Sequence, residues 1–228
     1  MGSKKVKIIT SDGFEIAGSF YRAKTKSGPA GAGRPAVLLA HMMPSNKESW
    51  DKLAKKLSKA GFECLAIDLR GHGESQGGPD GFKKFSDKDH QASLEDIRAG
   101  VKFFTDSGVE LEKISLAGAS IGANLSLWFE SENPEAKASV LLSPGLDYKG
   151  IETERLAKNL REDQAVFLAA GGENDGYSSE TVYKLSHLIK SPNKAMKIFG
   201  NAGHGTDMFK EEPGLMDEIT KWLGSIYL

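Results

Sequence analysis

Short apolar runs alternate with amphipathic stretches along most of this chain. The runs are Ala36 to Ala40, Phe62 to Ile67, Ile114 to Ala117, Ser139 to Leu142, Val166 to Ala170 and Met196 to Phe199. Each is brief and nearly continuous, the pattern of a strand buried on both faces. Between them, Trp50 to Lys59 sets Trp50, Leu53, Ala54 and Leu57 on one helical face. Leu94 to Thr105, Ile121 to Glu130, Ser178 to Ile189 and Pro213 to Tyr227 also read as helices, with Ser93 and Asp96 as an N-cap pair and Pro213 in a first turn. Ahead of the first run, Val6 to Thr10 and Phe14 to Tyr21 flank the turn signal Ser11-Asp12-Gly13, so an antiparallel hairpin opens the chain. Strand and helix repeated this way predict a three-layer α/β architecture, a mostly parallel sheet with helices on both faces. Ligands in such sheets bind beyond the carboxyl ends of the strands. The chemistry is therefore to be sought in the residues that follow each apolar run.

Composition narrows the function classes. A length of 228 residues is compatible with one domain spanning 1–228, and the turn-rich stretch Ser27 to Pro35 reads as a surface loop inside it. Lys and Arg number 30 against 31 Asp and Glu, a net charge of -1 that lacks the basic footprint of a dedicated nucleic-acid binder and shows no membrane-surface bias. The single cysteine, Cys64, falls inside a predicted buried strand and reads as structural, in keeping with a reducing compartment. No apolar run approaches the ~20 residues of a membrane span, and the one after Lys7 is too short for a signal-peptide core. The expectation is a soluble, cytoplasmic protein. One compositional feature asks for an account: 26 of the residues are Gly.

Gly118-Ala119-Ser120-Ile121-Gly122 matches G-x-S-x-G, and so does Gly73-Glu74-Ser75-Gln76-Gly77. Chance supplies about 0.3 such matches in a chain this rich in Gly and Ser, so context must decide between them. A nucleophile elbow needs a strand before it and a helix after it, with small neighbours that let the two approach. Ser120 has both flanks, Ile114 to Ala117 and Ile121 to Glu130, whereas Ser75 lies in a Gly-rich loop with neither. Ser120 is the candidate nucleophile.

A Ser hydroxyl needs a base within hydrogen-bond reach and a third group to orient that base. Behind an elbow of this kind the partners follow in the order acid, then His. Two histidines follow Ser120. His187 lies within a helical pattern, while His204, in Asn201-Ala202-Gly203-His204-Gly205, sits in a Gly-flanked loop after a strand and is the candidate base. Asp175, reached from Val166 to Ala170 through Gly171 and Gly172, is the first choice of acid; Asp147 and Glu173 are the competitors. Donors for the developing oxyanion are expected from the amide of Ile121, next after the nucleophile, and from the loop His41-Met42-Met43-Pro44, with Met43 the first choice and Met42 the second. The remaining His and acidic residues show no metal-ligand spacing and no phosphate-loop pattern occurs, so no cofactor or metal is expected.

These motifs together with Asp68-Leu69-Arg70-Gly71-His72-Gly73-Glu74-Ser75 resemble the α/β-hydrolase superfamily over nearly the whole chain, closest to its small members similar to dienelactone hydrolases, serine peptidases and carboxylesterases. Two departures stand out. Met42 replaces the Gly that usually follows the His ahead of the oxyanion donor, and Ser120 stands where dienelactone hydrolases proper carry Cys. The resemblance implies a structural role for Asp68 to Gly73, with His72 a satisfied loop histidine. Members with a cap insert it after the sixth strand; here Ser143 to Gln164, about 20 residues, has room for one short helix around Glu152 to Arg161 and for no substantial cap domain. The expected activity is serine carboxylesterase chemistry on small or short-chain acyl substrates, with a small-molecule ester as the substrate partner and no nucleic-acid or membrane partner. An amidase, peptidase or thioesterase using the same triad is the alternative, followed by a non-catalytic ligand-binding module.

Overall fold

In the computed structural model, which describes residues 2–24 and 33–227, every apolar run is a strand. A hairpin of β1 (Lys4–Ile9) and β2 (Glu15–Tyr21) leads into β3 (Ala36–Ala40), α1 (Asp51–Ala60), β4 (Glu63–Ile67), α2 (Asp87–Gln91) and α3 (Leu94–Asp106). Then come β5 (Ile114–Ala119), α4 (Ile121–Glu132), β6 (Ala138–Leu142), the two-residue strands β7 (Asp147–Tyr148) and β8 (Ile151–Glu152), and α5 (Thr153–Asn159). The chain continues through β9 (Ala165–Ala170), α6 (Gly176–Leu188), β10 (Lys194–Ile198), α7 (Met208–Glu211) and α8 (Leu215–Tyr227). Residues 27–32 of the predicted surface loop lie outside the described residues. No helix among those described is long and apolar enough to cross a membrane.

Eight strands form one sheet in the order β1-β2-β4-β3-β5-β6-β9-β10. The β1–β2 and β2–β4 pairs are antiparallel and the rest parallel. Alternation along each strand divides the core. Leu38, Leu65 and Leu116 pack with Ile97, Phe104 and Leu125 of α3 and α4 on one face. On the other, Val37, Leu39, Ala66 and Val140 pack with Trp50, Leu53, Leu57, Ile219 and Leu223 around α1 and α8. Cys64 is buried there as a small apolar side chain.

Two predicted helix signals are corrected. Ser93 has helical backbone angles and its side chain caps nothing, because α2 runs almost directly into α3. Asp96 is fully buried instead and accepts bonds from the amide, Nε and Nη2 of Arg70. The capping box sits one helix earlier, between Ser86 and Asp89 at the start of α2. Pro213 lies in a turn ahead of α8, whose first helical residue is Leu215.

Candidate active site

The parallel strands deliver the candidate residues to one edge of the sheet. Ser120 follows β5 with φ 54° and ψ -121°, a positive-φ conformation rare for a residue with a side chain. Its amide donates to Leu142 O at 2.8 Å, extending the β5–β6 ladder by one step before the chain turns into α4. The flanking glycines make the turn possible. A Cβ on Gly118 would collide with the Gly122 carbonyl, and one on Gly122 with the carbonyl of Ala40 at the end of β3. Ile121 opens α4, so its amide belongs to the first-turn donors that a helix leaves without intrahelical acceptors, at the positive end of the helix dipole.

Asp175 and His204 are joined. The Asp175 carboxylate lies 2.7 Å from His204 Nδ1 through Oδ1, and its Oδ2 accepts from Ser143 Oγ at 2.6 Å and the Gly171 amide at 3.1 Å. Burial pushes this carboxyl up, but the bonds from His204, Ser143 and Gly171 outweigh it and hold Asp175 below the usual aspartate value. The two loops that carry the pair are zipped together: Ala202 N donates to Gly171 O at 2.7 Å, Glu173 N to Gly200 O at 2.9 Å and Gly203 N to Asn174 Oδ1 at 3.1 Å. Asp175 is almost entirely buried while His204 stays about one-third exposed. That suits an orienting acid and a base that must meet a reactant.

The competing residues are occupied elsewhere. Asp147, in the exposed β7, accepts from the Gly150 amide through Oδ1. Glu173 is exposed, and His187 bonds through Nδ1 to Tyr183 O within α6. Ser75 is buried as a structural link, accepting from Ala17 N at 2.8 Å and donating to Asp68 O at 2.6 Å. His72 is satisfied on one side only. Its Nδ1 bonds Arg70 O and its ring stacks on Phe82, but Nε2 is buried without a partner.

The loop after β3 is held by His41, a residue to which the motif reading assigned no task. His41 is fully buried; its Nε2 accepts from Leu69 N at 3.0 Å and its Nδ1 therefore donates to Met42 O at 2.8 Å. Ser45 N donates to the same carbonyl. With Met42 O pinned towards His41 and Ser45, the planar peptide directs the Met43 N–H the opposite way. Burial, with the His72 ring second, pushes His41 down to about 4, so it is neutral and keeps this tautomer. The Met42 side chain, where a glycine would have none, lies against Gly205 and brings its sulfur to 4.0 Å from Thr206 Oγ1, in the turn after His204.

Two further ties brace this edge. Lys47 and Asp68, both buried, form a 2.6 Å ion pair, and Asp68 also accepts the amides of Lys47 and Glu74. Burial lowers the Lys47 ammonium, but its bonds to Asp68, Glu74 and Glu48 prevail and hold it above the usual lysine value. Arg70 links Asp96 to Asp12 in the opening hairpin turn. Ser143 is the residue most clearly missed. It follows β6, yet a lone Ser before Pro144 carries no recognisable motif.

A cavity of about 880 Å³ is lined by Val6, Phe20, Lys24, Lys55 and Phe103 and shares no residue with this cluster. Among the described residues, no three His, Cys, Asp or Glu side chains are grouped to hold a metal ion.

A family model described as the alpha/beta hydrolase fold matches residues 35–170, more than half of the chain, and the chain belongs to that family. The match ends before Asp175 and His204, which the fold itself brings to Ser120's edge of the sheet. Over 112 residues the chain is 29% identical to the AB hydrolase superfamily protein YisY of Bacillus subtilis (strain 168), covering 49% of this chain and 37% of that relative. The chain thus spans little more than a third of that curated relative's length. The Pyrococcus furiosus esterase Pf2001 superposes with a TM-score of 0.75 at 20% identity, covering 98% of this chain and 90% of that one. A dienelactone hydrolase from Anabaena variabilis superposes with a TM-score of 0.74 at 18% identity over 100% and 97% of the two chains. At these identities the superpositions speak to fold.

Proposed function

We propose that this chain is a serine hydrolase that cleaves carboxylic esters of small or short-chain acyl groups through an acyl-enzyme. Family membership supports a hydrolase. The observation that carries the finer reading is the Asp175–His204 bond at 2.7 Å together with a positive-φ Ser120 at a strand-to-helix turn. Ser120 Oγ attacks the ester carbonyl as His204 Nε2 takes its proton. Asp175, bonded to Nδ1, keeps the imidazole in the required tautomer and stabilises the imidazolium. The amides of Ile121 and Met43 hold the oxyanion. The leaving alcohol departs with the proton from His204; water then attacks the acyl group by the same route and frees Ser120. Triad and water account for every bond made and broken, so the cycle calls for no cofactor.

The substrate class is inferred from the segment after β6. It holds only the β7–β8 hairpin and α5, which favours small or end-on substrates over a long enclosed lipid. We extend the reading to one catalytic unit over 1–228 in a reducing, cytoplasmic setting, supported by the lone buried Cys64. Turnover of p-nitrophenyl esters of increasing chain length, beside aminoacyl anilides and acyl-CoA, tests it. Short esters are expected to be the best substrates. Turnover of anilides or acyl-CoA without ester turnover moves the same triad to the amidase or thioesterase reading.

A further inference from the structure

Among the described residues, Tyr148 is the aromatic side chain that stands against the His204 ring. Its ring stands edge-on to the His204 ring, centroids 6.5 Å apart, its hydroxyl lies 3.2 Å from Ser178 Oγ of α6, and the phenol sits close enough to Ser120 and Asp175 for both to act on it. The placement is built into the fold. Asn124, fully buried in α4, donates to the carbonyls of Gly145 and Ile151 and accepts the Gly145 amide, tying down both ends of the β7–β8 hairpin. Gly145 leaves room for the ring, since a Cβ there would stand 2.6 Å from it. Tyr177 packs against the ring at 5.7 Å while its hydroxyl accepts the Asp147 amide at 3.0 Å.

Sheet order gives the direction. β5, which delivers Ser120, has β3 on one side and β6 on the other. The loop with Met43 follows β3; Tyr148 follows β6, and the His204 loop follows β10 further out on that same side. In strand order Tyr148 therefore comes to Ser120 from the β6 side, the side from which the His204 loop also reaches it. In the tetrahedral intermediate the oxygen next to His204 is that of the leaving group, which takes its proton from the imidazolium.

Resting on the serine-hydrolase reading above, we propose that the Tyr148 hydroxyl donates a hydrogen bond to the leaving-group oxygen of the ester during acylation. The phenol keeps its own proton throughout. The proton lost by Ser120 passes through His204 to the departing alcohol, and Tyr148 stabilises the negative charge that builds on that oxygen as its bond to carbon breaks. Burial, aided by the nearby Asp175 charge, holds the phenol above the usual tyrosine value and suits it to donating without ionising.

The test compares kcat/KM for ethyl butyrate and p-nitrophenyl butyrate, which share an acyl group. The ethoxide leaving group needs help, whereas p-nitrophenolate leaves unaided. Tyr148→Phe is expected to lower kcat/KM for the ethyl ester by about three- to tenfold, the worth of one neutral hydrogen bond, and to change the p-nitrophenyl ester by less than about twofold. Ser178→Ala, which removes only the tether, is expected to give a smaller loss of the same selectivity and carries the test if the first variant does not fold. Equal loss on both esters, or no loss on either, overturns the proposal. Wild-type protein that cleaves neither ester overturns the ester-hydrolase reading on which the proposal rests, a failure seen before any substitution is made.

Discussion

The Ser143 hydroxyl bridges the acid and the base loop: it donates to Asp175 Oδ2 at 2.6 Å and accepts the Gly205 amide at 2.7 Å. Ser143 holds φ 49°, a strained value for a residue with a side chain, to make both bonds. Ser143→Ala removes a donor to a carboxylate and the acceptor that seats the residue after His204. Such bonds are worth roughly 1.5–3 kcal/mol, so kcat for ester hydrolysis is expected to fall about 10- to 100-fold with KM little changed. Steady-state kinetics on p-nitrophenyl acetate, with circular dichroism to show an intact fold, checks it.

Lys47 and Asp68 form a buried ion pair that anchors the loop after β3 to the end of β4. Lys47→Met leaves the Asp68 carboxylate buried with only amide donors. Loss of one partner from a buried pair costs about 3–5 kcal/mol, and urea denaturation at neutral pH should show a drop of that size.

His41 makes stability depend on pH. Its ring is held near 4 in the folded protein against 6.5 when exposed, so the unfolded chain binds the proton more readily. The contribution is complete above about 6.5 and is lost as pH falls towards 4, at most roughly 3 kcal/mol in all. Protonation would also take Nε2 away from the Leu69 amide. Urea melts of wild type and His41→Gln between pH 7 and 4 should show the wild type losing more stability on acidification than the variant. Parallel curves would remove His41 from the account.

Strand positions were legible because a buried parallel strand reads as an unbroken apolar run, and each predicted run coincides with an observed strand to within two residues; β10 alone departs from the expected burial, being an edge strand with Met196 and Ile198 exposed. The strand-to-helix turn at Ser120 was legible because strand, G-x-S-x-G and helix occur together, whereas the loop around Ser75 lacks those flanks. Ser143, His41 and Tyr148 were not. Each acts through a neighbour distant in sequence, as when Ser143 meets Asp175 and Gly205 or His41 meets Leu69. Pairings of that kind depend on sheet order, which local pattern does not specify. Asp96 failed for the same reason, its local capping signal being overridden by Arg70. The glycine excess acquired a physical account where backbones must nearly touch, as Gly118 does with Gly122 and Gly171 with Gly203.

The central claim is that Ser120 is a nucleophile activated by His204, and a fluorophosphonate probe tests it most directly. The folded protein is expected to become covalently labelled, with peptide mapping placing the adduct on Ser120. Ser120→Ala and His204→Ala should abolish labelling, and Ser75→Ala, provided it folds, should retain it. An adduct on Ser75, or no adduct on folded wild-type protein, would contradict the account.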